Sequence, residues 1–223
     1  MPSIAGYIDH TLLNPRALPR DVERLCAEAV RFGFKAVCVH AFHVAQAAAL
    51  LSGHAALPVC VAGFPLGATL SRVKAFEAEA AVREGAREID MVLNLGAFAA
   101  GEYDLVREDV SEVVRAIPEI PVKVIIETGY LSDEEKRLAC ALCAEAGAAF
   151  VKTSTGFGPG GATTADVRLM RAAVGPGMGV KASGGIRDLA TARTMLEAGA
   201  DRIGTSSSVA IALAELEEAG ERT

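Results

Sequence analysis

The feature that most constrains the fold is a repeated alternation between short runs rich in Val and Ile and longer amphipathic segments. Eight runs are candidate strands, each bounded by Gly, Pro or polar residues: 7–10, 36–40, 58–64, 88–94, 122–128, 150–154, 180–183 and 202–206. Strands that alternate with helices build parallel sheets. Eight units in 223 residues predict an α/β protein with a (β/α)8 TIM barrel. A doubly wound open sheet is the alternative, although it usually has fewer strands.

The segments between these strands carry the signals of helices that end on glycine. Just before a strand, a glycine in the left-handed conformation commonly ends a helix, and four glycines occupy such positions: Gly33, Gly85, Gly147 and Gly199. No linker, low-complexity tract or change of composition divides the chain. We therefore predict a single domain that spans residues 1–223.

Composition and charge disfavour several classes of protein. The formal net charge is −6, whereas a nucleic-acid partner normally requires a basic face. No segment offers the roughly 20 uninterrupted apolar residues of a membrane helix, and no signal peptide is visible. Five cysteines fit reduced thiols better than a disulfide framework, and the Cys140–Cys143 pair is typical of an ordinary helix. We expect a cytoplasmic protein with no nucleic-acid or membrane partner.

Polar side chains recur inside the candidate strands, although barrel strands are buried on both faces. Because side chains alternate along a strand, Asp90, Lys152 and Lys181 should face the barrel interior. Lys123 and Glu127 share such a face on the fifth strand, where a purely structural ion-pair role is a serious alternative. Active sites of barrel enzymes lie at the carboxyl ends of the strands. The cluster therefore predicts a catalytic site.

Two lysines in one cavity have a specific chemical consequence. Burial and a neighbouring like charge both disfavour an ammonium group, so the pKa of one lysine should fall. A neutral amine is a nucleophile that forms a Schiff base with a carbonyl, and a nearby carboxylate could transfer protons. The pattern predicts carbonyl chemistry. No G-x-S-x-G motif supports a hydrolase triad.

Glycines and hydroxyls follow the seventh and eighth candidate strands. Gly184 and Gly185 lie in "KASGGIRD", and Gly204 precedes Ser206 and Ser207 in "GTSSS". Loops at these two places are the usual phosphate site of barrel enzymes. Either fragment alone would also suit a turn or a helix cap. Their joint placement predicts a phosphate site.

Metal and dinucleotide sites have little support in the sequence. Of the four histidines, only His40 and His43 are close together, and no acidic residue lies at ligand spacing beside them. No G-x-G-x-x-G motif follows the first strand. We predict an enzyme with no metal and no cofactor.

Motifs along nearly the whole chain resemble those of the deoxyribose-phosphate aldolases, a family of class I Schiff-base aldolases with a (β/α)8 barrel. The stretches that match are IDHTLL (8–13), AVCVH (36–40), GFPLG (63–67), EIDMVLNLGA (88–97), KVIIETGYL (123–131), FVKTSTGFGPGGAT (150–163), VKASGGIRD (180–188) and RIGTSS (202–207). The resemblance implies reversible, metal-independent cleavage of 2-deoxy-D-ribose 5-phosphate to acetaldehyde and D-glyceraldehyde 3-phosphate. This reaction belongs to deoxyribonucleotide catabolism.

The resemblance also implies roles for individual residues. Lys152 would form the Schiff base, Lys181 would lower its pKa, and Asp90 would relay protons through water. Asp9 would help to orient the lysines and belongs to the substrate-binding residues. The implied contacts to the substrate and its phosphate are Thr155, Gly156, Gly184, Gly185, Gly204, Ser206 and Ser207. We expect a homodimer or homotetramer, because compact barrels commonly associate through their outer helices.

Two departures from the family pattern bear on these roles. Phe157 stands where some members have a lysine, so we expect phosphate binding to depend more on backbone amides and Arg187. The segment "ELEEAGERT" has no tyrosine, so no proton donor is expected there. Two alternatives stay open: another sugar-phosphate lyase or isomerase, and a non-catalytic barrel that binds a phosphorylated sugar.

Overall fold

Eight parallel strands close into a barrel in the computed structural model, which describes residues 3–220. The strands are β1 (Ile8–Leu12), β2 (Ala36–Val39), β3 (Leu57–Ala62), β4 (Glu88–Val92), β5 (Val122–Ile125), β6 (Phe150–Lys152), β7 (Gly179–Ser183) and β8 (Arg202–Thr205). Each strand pairs with the next, and β8 pairs with β1. The (β/α)8 barrel is confirmed and the open sheet is excluded. The single domain over 1–223 stays a prediction whose ends, 1–2 and 221–223, lie outside the described residues.

Helices follow every strand on the outside of the barrel. Within residues 3–220 they are α1 (Pro19–Phe32), α2 (Val44–Leu50), α3 (Ser71–Arg83), α4 (Leu95–Ala99), α5 (Tyr103–Ala116), α6 (Asp133–Glu145), α7 (Thr164–Val174), α8 (Leu189–Glu197) and α9 (Ser208–Gly220). The predicted helix-ending glycines all have positive φ angles, from 72° to 110°: Gly33, Gly85, Gly147 and Gly199. None of the helices in this part of the chain is long and apolar enough to span a membrane.

Six of the eight strands end one to three residues earlier than the sequence pattern predicts, β5 and β6 among them. The pattern continues β5 to residue 128 and β6 to residue 154, whereas the strands end at Ile125 and Lys152. Glu127 has a left-handed backbone, and a short 3-10 turn then covers Thr128–Tyr130. The polar residues at 127–128 and 153–154 therefore belong to the barrel's upper rim, at the carboxyl ends of the strands, where catalytic loops are usually found.

The apolar side chains form two separate clusters. The larger cluster lies between the barrel and its helices and contains most of the buried Val, Ile, Leu and Ala residues. The smaller one consists of Leu13, Ala36, Cys38, Val59 and Val61, with contributions from β2 and β3. These two strands are buried throughout their length, apart from the partly buried first residue of β3.

Candidate active site

Charged side chains from six strands meet inside the barrel, each at most 7% exposed: Asp9, Glu88, Asp90, Lys123, Lys152, Lys181 and Arg202. The strand register explains their meeting, because paired residues on neighbouring strands face the same side. Asp90 pairs with Lys123, Lys152 with Lys181, and Lys181 with Arg202. The predicted inward orientation of Asp90, Lys152 and Lys181 is confirmed.

Asp90 is the centre of this group. Its Oδ2 atom lies 2.8 Å from Lys152 Nζ and 2.7 Å from Lys181 Nζ, and its Oδ1 atom lies 2.8 Å from Lys123 Nζ. Burial alone would raise the pKa of Asp90, but the three ammonium groups outweigh burial and hold that pKa well below its ordinary value. Asp90 is therefore a carboxylate shared by three lysines.

Further ion pairs join the group into a closed ring. Lys181 Nζ also lies 2.5 Å from Asp9, and Lys123 Nζ lies 2.7 Å from Glu88. Arg202 joins the two ends, at 2.5 Å from Asp9 and 2.7 Å from Glu88. We call the six residues the charged ring: Asp9, Lys181, Asp90, Lys123, Glu88 and Arg202. Each of its cations contacts two carboxylates.

The pKa of Lys181 is raised, so Lys181 is not the lysine whose pKa the sequence pattern expects to fall. Burial alone would lower the pKa of Lys181, but Asp9 and Asp90 together raise it above its ordinary value. The expectation considered only burial and the like charge of the neighbouring lysine. In the structure the carboxylates dominate, so Lys181 is a charged neighbour of Lys152.

Lys152 differs from the other cations in having a single carboxylate contact, to Asp90. That carboxylate oxygen also contacts Lys181. With four cations facing three carboxylates, the interior carries one surplus positive charge. Loss of a proton from Lys152 would remove the surplus and leave the charged ring intact. Of the seven charged residues, Lys152 is also the one that lines the cavity described next.

A cavity of about 490 Å³ opens at the carboxyl ends of β6, β7, β8 and β1; we call it the mouth cavity. Six of the predicted substrate residues line it: Thr155, Gly156, Gly184, Gly185, Gly204 and Ser206. Asp9 and Ser207 do not. Asp9 is fully buried against Lys181 and Arg202, and its implied role in orienting the lysines stays a prediction. The Ser207 N–H donates to Thr205 Oγ1 at 2.9 Å.

Positive charge dominates the lining of the mouth cavity. Lys152 and Arg187 are its charged lining residues, and no acidic side chain from residues 3–220 joins them. Helix α9 begins two residues after Ser206, which places a helix N-terminus close to the cavity. Helix N-termini bind anions through unpaired N–H groups. The lining therefore suits a phosphorylated ligand.

Gly204 provides space for Lys181. A Cβ atom at this position would lie 2.9 Å from Ser183 Cβ and 3.1 Å from Lys181 Cε. The sequence pattern predicts this glycine as part of a phosphate loop. Its closest neighbours in the structure are instead the side chains of β7, so at least part of its role is to let Lys181 extend across the barrel.

Phe157 lies at the edge of the mouth cavity, where the resemblance implies a lysine in some relatives. Its ring packs edge-to-face against Phe64, with centroids 5.4 Å apart. It also lines a second, more apolar cavity of about 500 Å³. Arg187 also lines the mouth cavity, and the expectation that phosphate binding depends on Arg187 and backbone amides stays a prediction.

Two residues of the site carried weak sequence signals. Arg202 was not predicted, although it shares the inward face of β8 with Gly204 and is paired with Lys181. Glu88 could be placed inward by alternation, but nothing in the sequence indicated that it bridges Lys123 and Arg202. Within residues 3–220, no group of three or more His, Cys, Asp or Glu side chains is placed to hold a metal. The absence of a metal and of a cofactor stays a prediction.

Comparisons with known proteins identify the family of the chain. The family model of the DeoC/LacD family aldolases matches residues 4–214. Deoxyribose-phosphate aldolases of Thermococcus gammatolerans and Carboxydothermus hydrogenoformans are each 58% identical over 212 residues, covering 93% of this chain and 94% and 93% of those proteins. The solved tetrameric deoxyribose phosphate aldolase of Aeropyrum pernix has a TM-score of 0.90 at 36% identity, covering 96% of this chain and 92% of its own. The chain belongs to the DeoC/LacD family of aldolases.

Proposed function

We propose that the protein is a class I aldehyde-lyase that reversibly cleaves 2-deoxy-D-ribose 5-phosphate to acetaldehyde and D-glyceraldehyde 3-phosphate through a Schiff base on Lys152. One observation carries the proposal: Lys152 lines the mouth cavity and lies beside a charged Lys181 and a shared Asp90 carboxylate. The names of the relatives support this substrate.

The first half of the reaction joins the substrate to Lys152. The neutral amine adds to the aldehyde carbon C1 of the open-chain sugar and gives a carbinolamine, which loses water to form a protonated Schiff base. The departing hydroxyl needs a proton, and Lys181 is held as an ammonium group by Asp9 and Asp90. Because Asp90 contacts both lysine nitrogens, it is placed to relay protons between them.

The second half breaks the C2–C3 bond. Removal of the proton from the C3 hydroxyl forms the aldehyde of glyceraldehyde 3-phosphate, and the bonding electrons move into the Schiff base to give an enamine. Protonation of the enamine at C2 and hydrolysis then release acetaldehyde and restore Lys152. Arg187, Ser206 and the N-terminus of α9, which lie at or beside the lining of the mouth cavity, hold the phosphate.

Borohydride trapping tests this proposal. Wild-type protein treated with acetaldehyde or with deoxyribose 5-phosphate and then reduced should carry a covalent adduct on Lys152, located by mass spectrometry of peptides. The Lys152→Met variant serves as the matched control and should carry none. An adduct on Lys181 alone would reverse the assignment of the two lysines. No adduct at all would favour a non-catalytic sugar-phosphate barrel, and EDTA should leave the cleavage rate unchanged.

The proposal includes a homodimer or homotetramer in the cytoplasm. Exposed apolar side chains on α3 and in the preceding loop support association: Leu66, Leu70, Val73 and Phe76. The tetrameric relative from Aeropyrum pernix agrees with it. All five cysteines are free and buried, which fits a reducing compartment. Sedimentation equilibrium of the purified protein tests the assembly, and a monomer at micromolar concentration would contradict it.

A further inference from the structure

Glu127 holds a backbone conformation that costs free energy. Its φ angle is 52°, and it is the one non-glycine residue with a positive φ in the described part of the chain. A side chain with a Cβ atom rarely adopts this left-handed region, because it strains the backbone. Glu127 is also buried, at 3% exposure. Its surroundings must therefore fix it in place.

The carboxylate of Glu127 is bound to a single residue of the mouth cavity, Thr155. The Thr155 N–H lies 3.2 Å and 3.1 Å from the two carboxylate oxygens, and the Thr155 hydroxyl donates a short hydrogen bond to Oε2. The Thr155 hydroxyl oxygen in turn accepts the Phe157 N–H at 3.0 Å. One carboxylate therefore fixes a segment, Thr155–Phe157, in which every residue lines the mouth cavity.

Glycines bring the two loops into direct contact. A Cβ atom on Gly158 would lie 2.8 Å from Glu127 Cδ, and one on Gly129 would lie 1.9 Å from the Pro159 oxygen. The Thr128 N–H donates to the Thr153 oxygen at 2.9 Å. The left-handed bend at Glu127 turns both its side chain and the following 3-10 turn toward the loop after β6. Glu127 thus joins the two loops and takes no part in the charged ring.

We propose that Glu127 is a positioning residue, which sets the affinity for the phosphorylated substrate by fixing Thr155–Phe157 and does not act in Schiff-base formation on Lys152. This inference rests on the proposed function. The carboxylate contacts the segment that lines the cavity, and the lysine nitrogens are bound by other carboxylates. Loss of the Glu127 carboxylate should therefore weaken substrate binding more than it slows the chemical steps on Lys152.

Two substitutions separate the carboxylate from the backbone bend. Glu127→Gly tolerates the left-handed conformation and removes all three hydrogen bonds to Thr155. We expect the KM for deoxyribose 5-phosphate to rise about tenfold or more, the scale of a lost charge-assisted hydrogen bond, with kcat changed less than about threefold. The rate at which the borohydride-trapped acetaldehyde adduct forms on Lys152 should stay within about twofold of wild type. The Glu127→Gln variant keeps an acceptor for the Thr155 N–H. Its KM should therefore be much closer to that of wild type than the KM of Glu127→Gly.

A double-mutant cycle shows whether Glu127 acts through Thr155. Thr155→Val alone should raise the KM, and the Glu127→Gly/Thr155→Val double variant should be less impaired than the product of the two single effects. A KM of the double variant equal to the product of the two single effects would overturn the inference, and so would a fall in kcat with the KM unchanged. If Glu127→Gly does not fold, Glu127→Gln and Thr155→Val still decide it through their KM values. A wild-type protein without a trapped adduct would instead overturn the proposed function.

Discussion

The two sides of the barrel interior differ in chemistry. The side formed by β2 and β3 presents Ala36, Cys38, Val59 and Val61, none more than 2% exposed. The side formed by β1 and β4 to β8 presents the charged ring and Lys152. The apolar side excludes water from the charged side, and charges interact more strongly where water is excluded.

The thiol of Cys38 also reports on this environment. Burial, the main cause, raises the pKa of its thiol to about 11, and the carboxylate of Asp90 acts in the same direction. The thiol therefore stays neutral although ammonium groups lie close to it. Burial and neighbouring charged side chains therefore set the pKa values of Cys38, Asp90 and Lys181.

The largest expected effect is that of Lys152→Met. We expect kcat for cleavage to fall by about 10⁴-fold or more, because the nucleophile is lost. The same change removes the surplus cation and breaks only one ion pair. The free energy of unfolding in urea should therefore equal or exceed that of wild type. A folded variant with cleavage within about 100-fold of wild type would remove Lys152 from the mechanism.

Asp90→Asn is expected to damage both activity and stability. Cleavage should slow about 100-fold or more, the scale of a lost proton relay. Because three lysines share this carboxylate, the free energy of unfolding should fall by about 3–5 kcal/mol, as for other broken buried ion pairs. Steady-state kinetics and urea unfolding check the two effects. Near-normal kinetics in a folded variant would show that Asp90 does not relay protons.

Part of the dependence of stability on pH should come from the charged side. The pKa values of Asp9 and Asp90 are lowered by folding, so their contribution is present above the ordinary value of 3.8 and is lost as the pH falls below it. The pKa of Lys181 is raised, so its contribution is present below 10.5 and is lost at higher pH. Urea unfolding between pH 3 and 11 should show losses of stability outside the range of about 4 to 10.

The smallest effect is expected on the apolar side, at Val61. Val61→Ala should lower the free energy of unfolding by about 2 kcal/mol through lost burial, and by the same amount at every pH. Val61→Thr keeps the volume but adds a hydroxyl, with an expected cost of about 1–3 kcal/mol. Cleavage should change less than about threefold in both variants. A pH-dependent loss in Val61→Ala would show that the two sides of the interior are coupled.

The alternation of eight strand-like runs with helical segments was sufficient to predict the barrel. Alternation along each strand predicted the inward faces of Asp90, Lys152 and Lys181, because side-chain parity is a local property. The ion pairs themselves could not be predicted. They join residues far apart in sequence, such as Asp9 and Lys181, 172 positions apart. Their distances depend on the closure of the barrel and on side-chain rotamers. For the same reason the sequence carried no sign that Arg202 closes the ring.

Glu127 shows a different limit of sequence analysis. Its strand pattern continues to residue 128, but the chain bends at residue 127. Glutamate has no special preference for the left-handed region, which Gly, Asn and Asp favour. The bend depends on Thr155 and Gly158, which belong to another strand's loop. Only tertiary contacts could identify this position.

The positive lining of the mouth cavity has a kinetic consequence in a chain whose formal net charge is −6. At long range a sugar phosphate is repelled by the chain as a whole, and only near Lys152 and Arg187 does the electrostatic potential become attractive. Ions of a physiological buffer screen charges beyond about 8 Å. They weaken the long-range repulsion more than the short-range attraction. Moderate salt should therefore speed the encounter between substrate and enzyme, the reverse of the usual effect on electrostatically steered association.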